Sequence, residues 1–327
     1  MPIKQYIQAV TEGLRSEMAR DERVFILGED VGVRGGVFRV TAGLIEEFGA
    51  SRVLDTPLAE GAIGGVAVGA ANAGMLPVAE IQFADFILPA VNQIISEAAK
   101  MRYRTNGDWS CPLVIRAPYG GGVHGALYHS QSMEALFTHV PGLKVVTPTT
   151  PYDAKGLLIS AIRDPDPVLF FEHKRLYRLA KGEVPDESYT VPIGQAKVAR
   201  EGDDITVISY GLALHYAMEA AETLATEGVS VHVIDLRTLR PLDEEAILEG
   251  AKKTGKVLIV HEDNKAGGVG AEVSAIIAEH ALFDLDAPIA RLAGPEVPAM
   301  PFSPTLEKAY MLNPEKIAAA MRELAEF

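Results

Sequence analysis

A single cysteine, Cys111, stands in a chain of 327 residues, so no internal disulfide framework and no multi-cysteine metal cage holds this protein together. A reducing, cytoplasmic setting is the expectation. The opening stretch Met1-Pro-Ile-Lys-Gln-Tyr-Ile-Gln-Ala-Val10 fits it, with neither the apolar core of a signal peptide nor the Arg/Ser-rich character of a transit peptide. No apolar run approaches the ~18 residues that mark a membrane-spanning helix. Basic residues are scarce: 30 Lys and Arg against 44 Asp and Glu give a formal charge of −14. That balance argues against nucleic acid as a partner, because a phosphate backbone needs a basic surface. Familiar chemical signatures are missing too. There is no Walker P-loop, no Gly-x-Ser-x-Gly elbow and no paired cysteine for zinc. Gly267-Gly-Val-Gly270 lacks the third glycine of a dinucleotide fingerprint and reads as a tight helix entry. Cys111 precedes an apolar strand and reads as core.

What remains is a chain with 48% hydrophobic residues, long enough to favour two cores over one. Apolar residues Ile3, Tyr6, Ile7, Val10, Leu14 and Met18 share one helical face and predict a helix over 3–21. Short apolar runs predict strands at 24–27, 53–54, 76–82, 113–116, 143–146 and 168–171, with helices at 42–48, 86–103 and 151–163 between them. Buried strands alternating with helices predict an α/β fold, a parallel sheet covered on both faces. Residues 177–198 are polar, weakly periodic and carry Pro185 and Pro192, so a linker and a domain boundary are placed there, dividing the chain into 1–186 and 187–327. The second part repeats the rhythm on a smaller scale, with strands at 205–209, 229–235, 257–260 and 289–292 and helices near 214–228, 243–254, 270–281 and 313–327.

The stretch from Leu54 to Gly74 organises the first part. Glu60 is the only charge between Asp55 and Glu80, and it falls where a helix of Gly, Ala and Val begins. A first-turn carboxylate complements the helix dipole, which is its plain structural role. Gly61, Gly64, Gly65 and Gly69 each cost helix stability, about 1 kcal/mol relative to Ala. A helix that tolerates such losses is approached closely by another backbone or by a ligand, so Glu60 is expected at a packed interface.

Parallel sheets bind ligands at the C-terminal ends of their strands. Glu29 ends the first expected strand, Glu60 follows the second, and Gln82 and Phe86 follow the third. After the fourth comes Tyr119-Gly-Gly-Gly-Val-His-Gly-Ala-Leu-Tyr-His-Ser-Gln131, a glycine-rich loop with His124 and His129. Here a resemblance enters. Gly28-Glu-Asp-Val31, Asp55-Thr-Pro-Leu-Ala-Glu60, Glu80-Ile-Gln-Phe-Ala-Asp-Phe86, Tyr128-His-Ser-Gln131, Pro141-Gly-Leu-Lys-Val-Val-Thr-Pro148, Pro151-Tyr-Asp-Ala-Lys155 and Asp235-Leu-Arg-Thr-Leu-Arg-Pro241 resemble the beta subunit of the thiamin-diphosphate-dependent 2-oxo acid dehydrogenase decarboxylating component. The likeness spans essentially the whole chain. It leans toward the branched-chain type over the pyruvate type at Ile81-Gln-Phe-Ala-Asp85 and Gly125-Ala-Leu-Tyr-His-Ser-Gln131.

The resemblance implies an N-terminal transketolase-like pyrimidine-binding domain and a smaller α/β transketolase C-terminal domain. It implies thiamin diphosphate as cofactor, with Glu60 meeting N1′ of the aminopyrimidine and Phe86, Gln82, Leu58 and Glu29 around the same ring. Phe86 stands where family members often have Tyr. His129 matches the histidine at the cofactor's reactive side, which positions or protonates as an acyl group passes to a lipoyl arm. A potassium ion is implied at Leu113, Ala161, Ile162, Asp164 and Asp166, largely through backbone carbonyls. The family's Gly-Asp-Gly motif for magnesium and diphosphate has no match: Gly107-Asp108 and Gly202-Asp203 both lack the second glycine. The implied assembly is therefore an α2β2 heterotetramer whose alpha subunit grips the diphosphate and Mg, docked on a dihydrolipoyl acyltransferase core. Two other readings stay open: a self-sufficient transketolase-like homodimer, and a non-catalytic flavin-binding subunit.

Overall fold

The computed structural model describes all 327 residues, and these gather into two compact units. The first comprises Met1–Tyr119 with Leu136–Ile193, the second Gly120–Ala135 with Gly194–Phe327. The units depart from a linear division at Gly120–Ala135, whose amides and carboxylate are bound by side chains of the later residues (below). No helix is long and apolar enough to cross a membrane.

In the first unit, parallel strands lie in the order Lys144–Val146, Val168–His173, Val114–Tyr119, Leu76–Glu80, Val24–Gly28, Val53–Asp55. The central strands are buried along their whole length, which is why they read as unbroken apolar runs rather than alternating ones. Helices Tyr6–Arg20 and Pro151–Arg163 pack together on one face. The second of these starts where the sequence places it. The Thr150 side chain accepts the Asp153 amide at 3.1 Å, and Pro151 occupies the first turn, where its missing N–H costs nothing. Arg163 clasps the buried Glu17 of the other helix through two nitrogens at 3.0 and 2.6 Å.

Two expectations for this unit need correction. Residues 3–5 open the chain as a strand, Ile3–Gln5, paired antiparallel with Lys181–Glu183, so the helix begins only at Tyr6 and part of the expected linker is ordered structure. The single long helix expected over 86–103 is broken into 3-10 turns at Ala84–Phe86 and Leu88–Ala90, a π-helical turn at Gln93–Ala98 and a short helix at Met101–Arg104. Pro89 supplies no amide to a helical ladder, and the wider i→i+5 turn is visible where Ala99 N–H donates to the Ile94 carbonyl at 3.0 Å.

The second unit holds a sheet ordered Ala290–Gly294, Val257–Asn264, Ile205–Ser209, Val231–Asp235, Lys197–Arg200, parallel except for the last, antiparallel edge strand. Its core joins Ile205, Val207, Val231, Val233 and Leu258 to Leu224, Ile317 and Met321 from helices Gly211–Thr226 and Pro314–Ala325. A further helix, Pro304–Tyr310, was not expected from the sequence.

Candidate active site

The first unit converges on the ends of three neighbouring strands. Gly28, Asp55 and Glu80 stand side by side in register. A Cβ at Gly28 would lie 2.7 Å from the Glu80 carbonyl oxygen, so only glycine lets the strands close there. Asp55 then ties down the loop leaving Gly28, accepting the amides of Gly32 at 2.6 Å and Val33 at 3.4 Å, while Thr56 N–H donates to the Gly28 carbonyl at 2.9 Å. This holds Glu29 beside the next turn, where Gln82 Nε2 donates to its carbonyl at 3.4 Å.

Glu60 is the first residue of the Glu60–Asn72 helix and is half-buried. Within this unit the charge it faces is another carboxylate. Burial, then the Glu60 charge, then Asp30 push the Glu29 carboxyl above its usual range. Leu58, on the turn before the helix, is 72% exposed, and Phe86 sits half-buried with its ring edge-on to Phe83 at 5.6 Å. Glu29, Glu60 and Gln82 are thus brought together, with Leu58 and Phe86 on the adjoining turns. A glutamate pair beside an amide and an aromatic ring suits a planar heterocycle whose ring nitrogen takes up a proton.

The glycine helix is approached as its composition implied, in part by the chain itself. A Cβ at Gly61 would meet the Pro89 carbonyl oxygen at 3.2 Å and one at Gly64 the Ala90 Cβ at 3.2 Å, whereas nothing lies within 4 Å of Gly69. Ala62, Val66, Gly69 and Ala73 form an outward face of small apolar residues, with Val66 56% exposed.

Beneath this site is a buried network that sequence reading missed. Arg116 donates to Glu172 through Nε at 2.6 Å and Nη2 at 2.8 Å, and to Glu80 through Nη1 at 2.6 Å; Tyr177 donates its hydroxyl to Glu172 at 2.6 Å. Burial pushes the Glu80 carboxyl up against the opposing pull of Arg116, and burial followed by the Glu172 charge carries the Tyr177 phenol well above its usual value. Rings connect the network to the surface, from Tyr177 to Phe38 at 5.3 Å, Phe38 to Phe83 at 5.4 Å and Phe83 to Phe86. The available signal was a charge placed inside an otherwise apolar strand, as in Val114-Ile-Arg-Ala117.

His129 lies on the loop that belongs to the second unit. The loop closes on itself, Gly120 N–H donating to the Gln131 carbonyl at 3.0 Å. His124 and Ala126 adopt left-handed backbone at φ 57° and 54°, each at a cost of order 1–3 kcal/mol that surrounding contacts must offset. Those contacts are carboxylates: Glu262 accepts the Gly121 amide at 2.6 Å, and Glu307 accepts those of Gly122 at 3.2 Å and His124 at 3.1 Å. Glu134 at the loop's end accepts the Tyr210 hydroxyl at 3.0 Å.

A small cleft opens beside the loop, lined in part by Ser130, Ser132, Glu262, Asp263 and Tyr310. Burial, aided by the Asp263 charge, pushes the Glu134 carboxyl well up, and burial pushes Asp263 up to about 6. The folded state therefore binds protons that the unfolded chain, with Asp near 3.9, releases, and stability falls as pH rises from about 4 to about 6. Asp263→Asn should lessen that slope, Glu134 supplying what remains, and raise the melting temperature at pH 7.5; a slope as steep as the native one in the variant would contradict the assignment.

The potassium residues of the resemblance lie in the first unit. The Ala161 carbonyl accepts the Asp164 amide at 3.3 Å and the Leu113 carbonyl the Val168 amide at 3.0 Å, each leaving a lone pair free. Ile162 is buried in the last turn of the same helix. The carboxylates of Asp164 and Asp166 are held by Lys144 at 2.6 Å and Arg102 at 2.7 Å. Backbone carbonyl oxygens are the donor type that a potassium ion takes, while both carboxylates are already engaged by cationic side chains. No group of three or more His, Cys, Asp or Glu side chains is arranged to hold a metal ion.

Comparison with known proteins bears on this geometry. Residues 4–180 match the family described as "Transketolase, pyrimidine binding domain", and residues 194–317 match "Transketolase, C-terminal domain". The chain is 68% identical to the 2-oxoisovalerate dehydrogenase subunit beta of Bacillus subtilis (strain 168), over the full length of both. It is 48% identical to the pyruvate dehydrogenase E1 component subunit beta of the same organism, over 98% of each chain. Among solved structures, a protein titled "Split gene transketolase, inactive beta4 tetramer" superposes with a TM-score of 0.80 at 23% identity, covering 98% of both chains, which is a likeness of fold.

Proposed function

Because this chain belongs to the family of 2-oxo acid dehydrogenase beta subunits, transketolase-like and thiamin-diphosphate-dependent, we propose that it provides the aminopyrimidine half of the cofactor site. The observation that carries this reading is the junction of Glu29, Glu60 and Gln82 at the strand ends, at the start of a helix whose outer face is small and apolar. In this reading the site falls within a pyrimidine-binding domain of residues 1–186, and residues 187–327 form the C-terminal domain that pairs beta subunits and docks the dihydrolipoyl acyltransferase core. An alpha subunit grips the diphosphate and Mg in an α2β2 heterotetramer, because this chain has no Gly-Asp-Gly motif of its own. Exposed Leu58, Val66 and Leu88 around Glu60 supply the kind of apolar surface that a partner covers.

When bound, thiamin diphosphate supplies the nucleophilic carbon and the electron sink for decarboxylating a 2-oxo acid. The residues of this chain manage protons and orientation around it. Glu60 is placed to hydrogen-bond N1′ of the pyrimidine, with Glu29 beside it. Phe86 packs on the ring without the hydroxyl that a tyrosine would offer, and Gln82 and Leu58 border it. His129 positions or protonates the acyl group on its way to the lipoyl acceptor. A potassium ion held by the carbonyls around Leu113, Ala161 and Ile162, with Asp164 and Asp166 flanking, braces the turn after Arg163. Replacing potassium by choline should then lower the melting temperature, and an unchanged melt would remove that ion from the account.

A branched-chain 2-oxo acid is the proposed substrate, supported by the greater likeness to the 2-oxoisovalerate enzyme than to the pyruvate enzyme. Reconstitution with the alpha subunit and comparison of 2-oxoisovalerate, pyruvate and 2-oxoglutarate tests it. A kcat/KM highest for 2-oxoisovalerate is expected; pyruvate leading would overturn the choice.

A further inference from the structure

We propose that Glu307 is a positioning residue for the loop that bears His129, an inference that rests on the reading of His129 as a participant in acyl transfer. The Pro304–Tyr310 helix is exposed at Thr305, Leu306, Lys308 and Ala309, and only Glu307 turns fully inward, at 3% exposure. A carboxylate contributes little to packing and is costly to bury unless it finds donors. Its donors all come from one turn. Gly122 N–H and His124 N–H both reach Oε1, at 3.2 and 3.1 Å, and the His124 ring meets Oε2 through Nδ1 at 2.5 Å.

The turn is built to present those amides. Gly122 and His124 both have left-handed backbone, at φ 78° and 57°, and their N–H groups converge as in backbone nests that bind anions. No helix or sheet ladder pairs these two amides, so the carboxylate satisfies them. The His124 side chain is 63% exposed, and a contact so open to water contributes little; the amides are what Glu307 chiefly holds.

The gripped turn lies directly against His129. A Cβ at Gly125 would come 2.7 Å from the His129 carbonyl oxygen and 2.8 Å from its Cβ, so a shift of the turn moves the backbone of His129. Glu262 anchors Gly121 from the sheet, fixing one end of the turn, and Glu307 fixes the other. Without Glu307 the segment from Gly122 to Ala126 keeps its strained conformation with one anchor fewer.

The test uses the assembled enzyme and reads two rates, decarboxylation coupled to a dye acceptor and reductive acylation of a lipoyl domain. Glu307→Ala is expected to lower kcat for lipoyl acylation at least tenfold, with KM for the 2-oxo acid and the dye-coupled rate within twofold of native. Glu307→Gln retains a carbonyl oxygen for both amides and should recover acylation to within threefold. In a His129→Ala background, Glu307→Ala should add no further loss, since it acts through His129. A Glu307→Ala enzyme within twofold of native in acylation would overturn the proposal. So would equal losses in the Ala and Gln variants, or additive losses in the double variant, each of which marks a general structural role. Native acylation in His129→Ala alone would instead remove the reading on which the proposal stands.

Discussion

Glu60→Gln, introduced into the chain and assembled with its alpha partner, is expected to lower kcat by about 10²–10⁴-fold, the range over which a positioned proton donor or acceptor acts. The substitution preserves volume and hydrogen-bonding shape but removes the ionisable carboxyl. A carboxylate serving only the dipole of the Glu60–Asn72 helix would cost about 0.3–1 kcal/mol of stability on neutralisation, with turnover intact. The two roles therefore separate in one protein. Size-exclusion chromatography should show native assembly, the melt should move little, and steady-state turnover should collapse. Turnover within a few-fold of native would mean that Glu60 is a helix-start residue and nothing more.

Arg116→Met is expected to be the most damaging substitution for stability. The guanidinium is fully buried and serves Glu80 and Glu172 on the two flanking strands. Its removal leaves two carboxylates facing one another out of water, a loss on the order of 3–5 kcal/mol. For a unit of this size that corresponds to a melting temperature lower by roughly 6–20 °C. Combining Arg116→Met with Glu80→Gln and Glu172→Gln removes the stranded charges and should restore much of the loss. If the single variant melts within a few degrees of native, the network does not hold the floor of the site.

The ease with which the fold was read follows from which signals are local. Buried strands such as Ile205–Ser209 announce themselves as apolar runs, and the Pro151–Arg163 helix carries its own start in Thr150-Pro151 and its stop in Asp164-Pro165. The segment after Phe83 was misread because side-chain periodicity is blind to the amide missing at Pro89 and to packing against Gly61 and Gly64. The Lys197–Arg200 strand is a half-exposed edge with basic ends, and the Pro304–Tyr310 helix buries one residue fully, so neither shows an amphipathic pattern.

The candidate site divides the same way. Glu60 stands out as a lone charge in a long apolar stretch, and Glu29, Gln82 and Phe86 follow strands that were themselves legible. Arg116, Glu262 and Glu307 act through partners far off in sequence, Glu307 holding amides more than 180 positions away, and no local pattern announces such contacts.

The central claim is that the cofactor site is shared, with this chain holding the pyrimidine and another polypeptide the metal and diphosphate. Calorimetric titration of thiamin diphosphate with magnesium into the purified chain, alone and with its alpha partner, tests it most directly. Saturable binding and turnover are expected only in the mixture. Stoichiometric uptake of metal and coenzyme by this chain alone, accompanied by decarboxylation, would contradict the account.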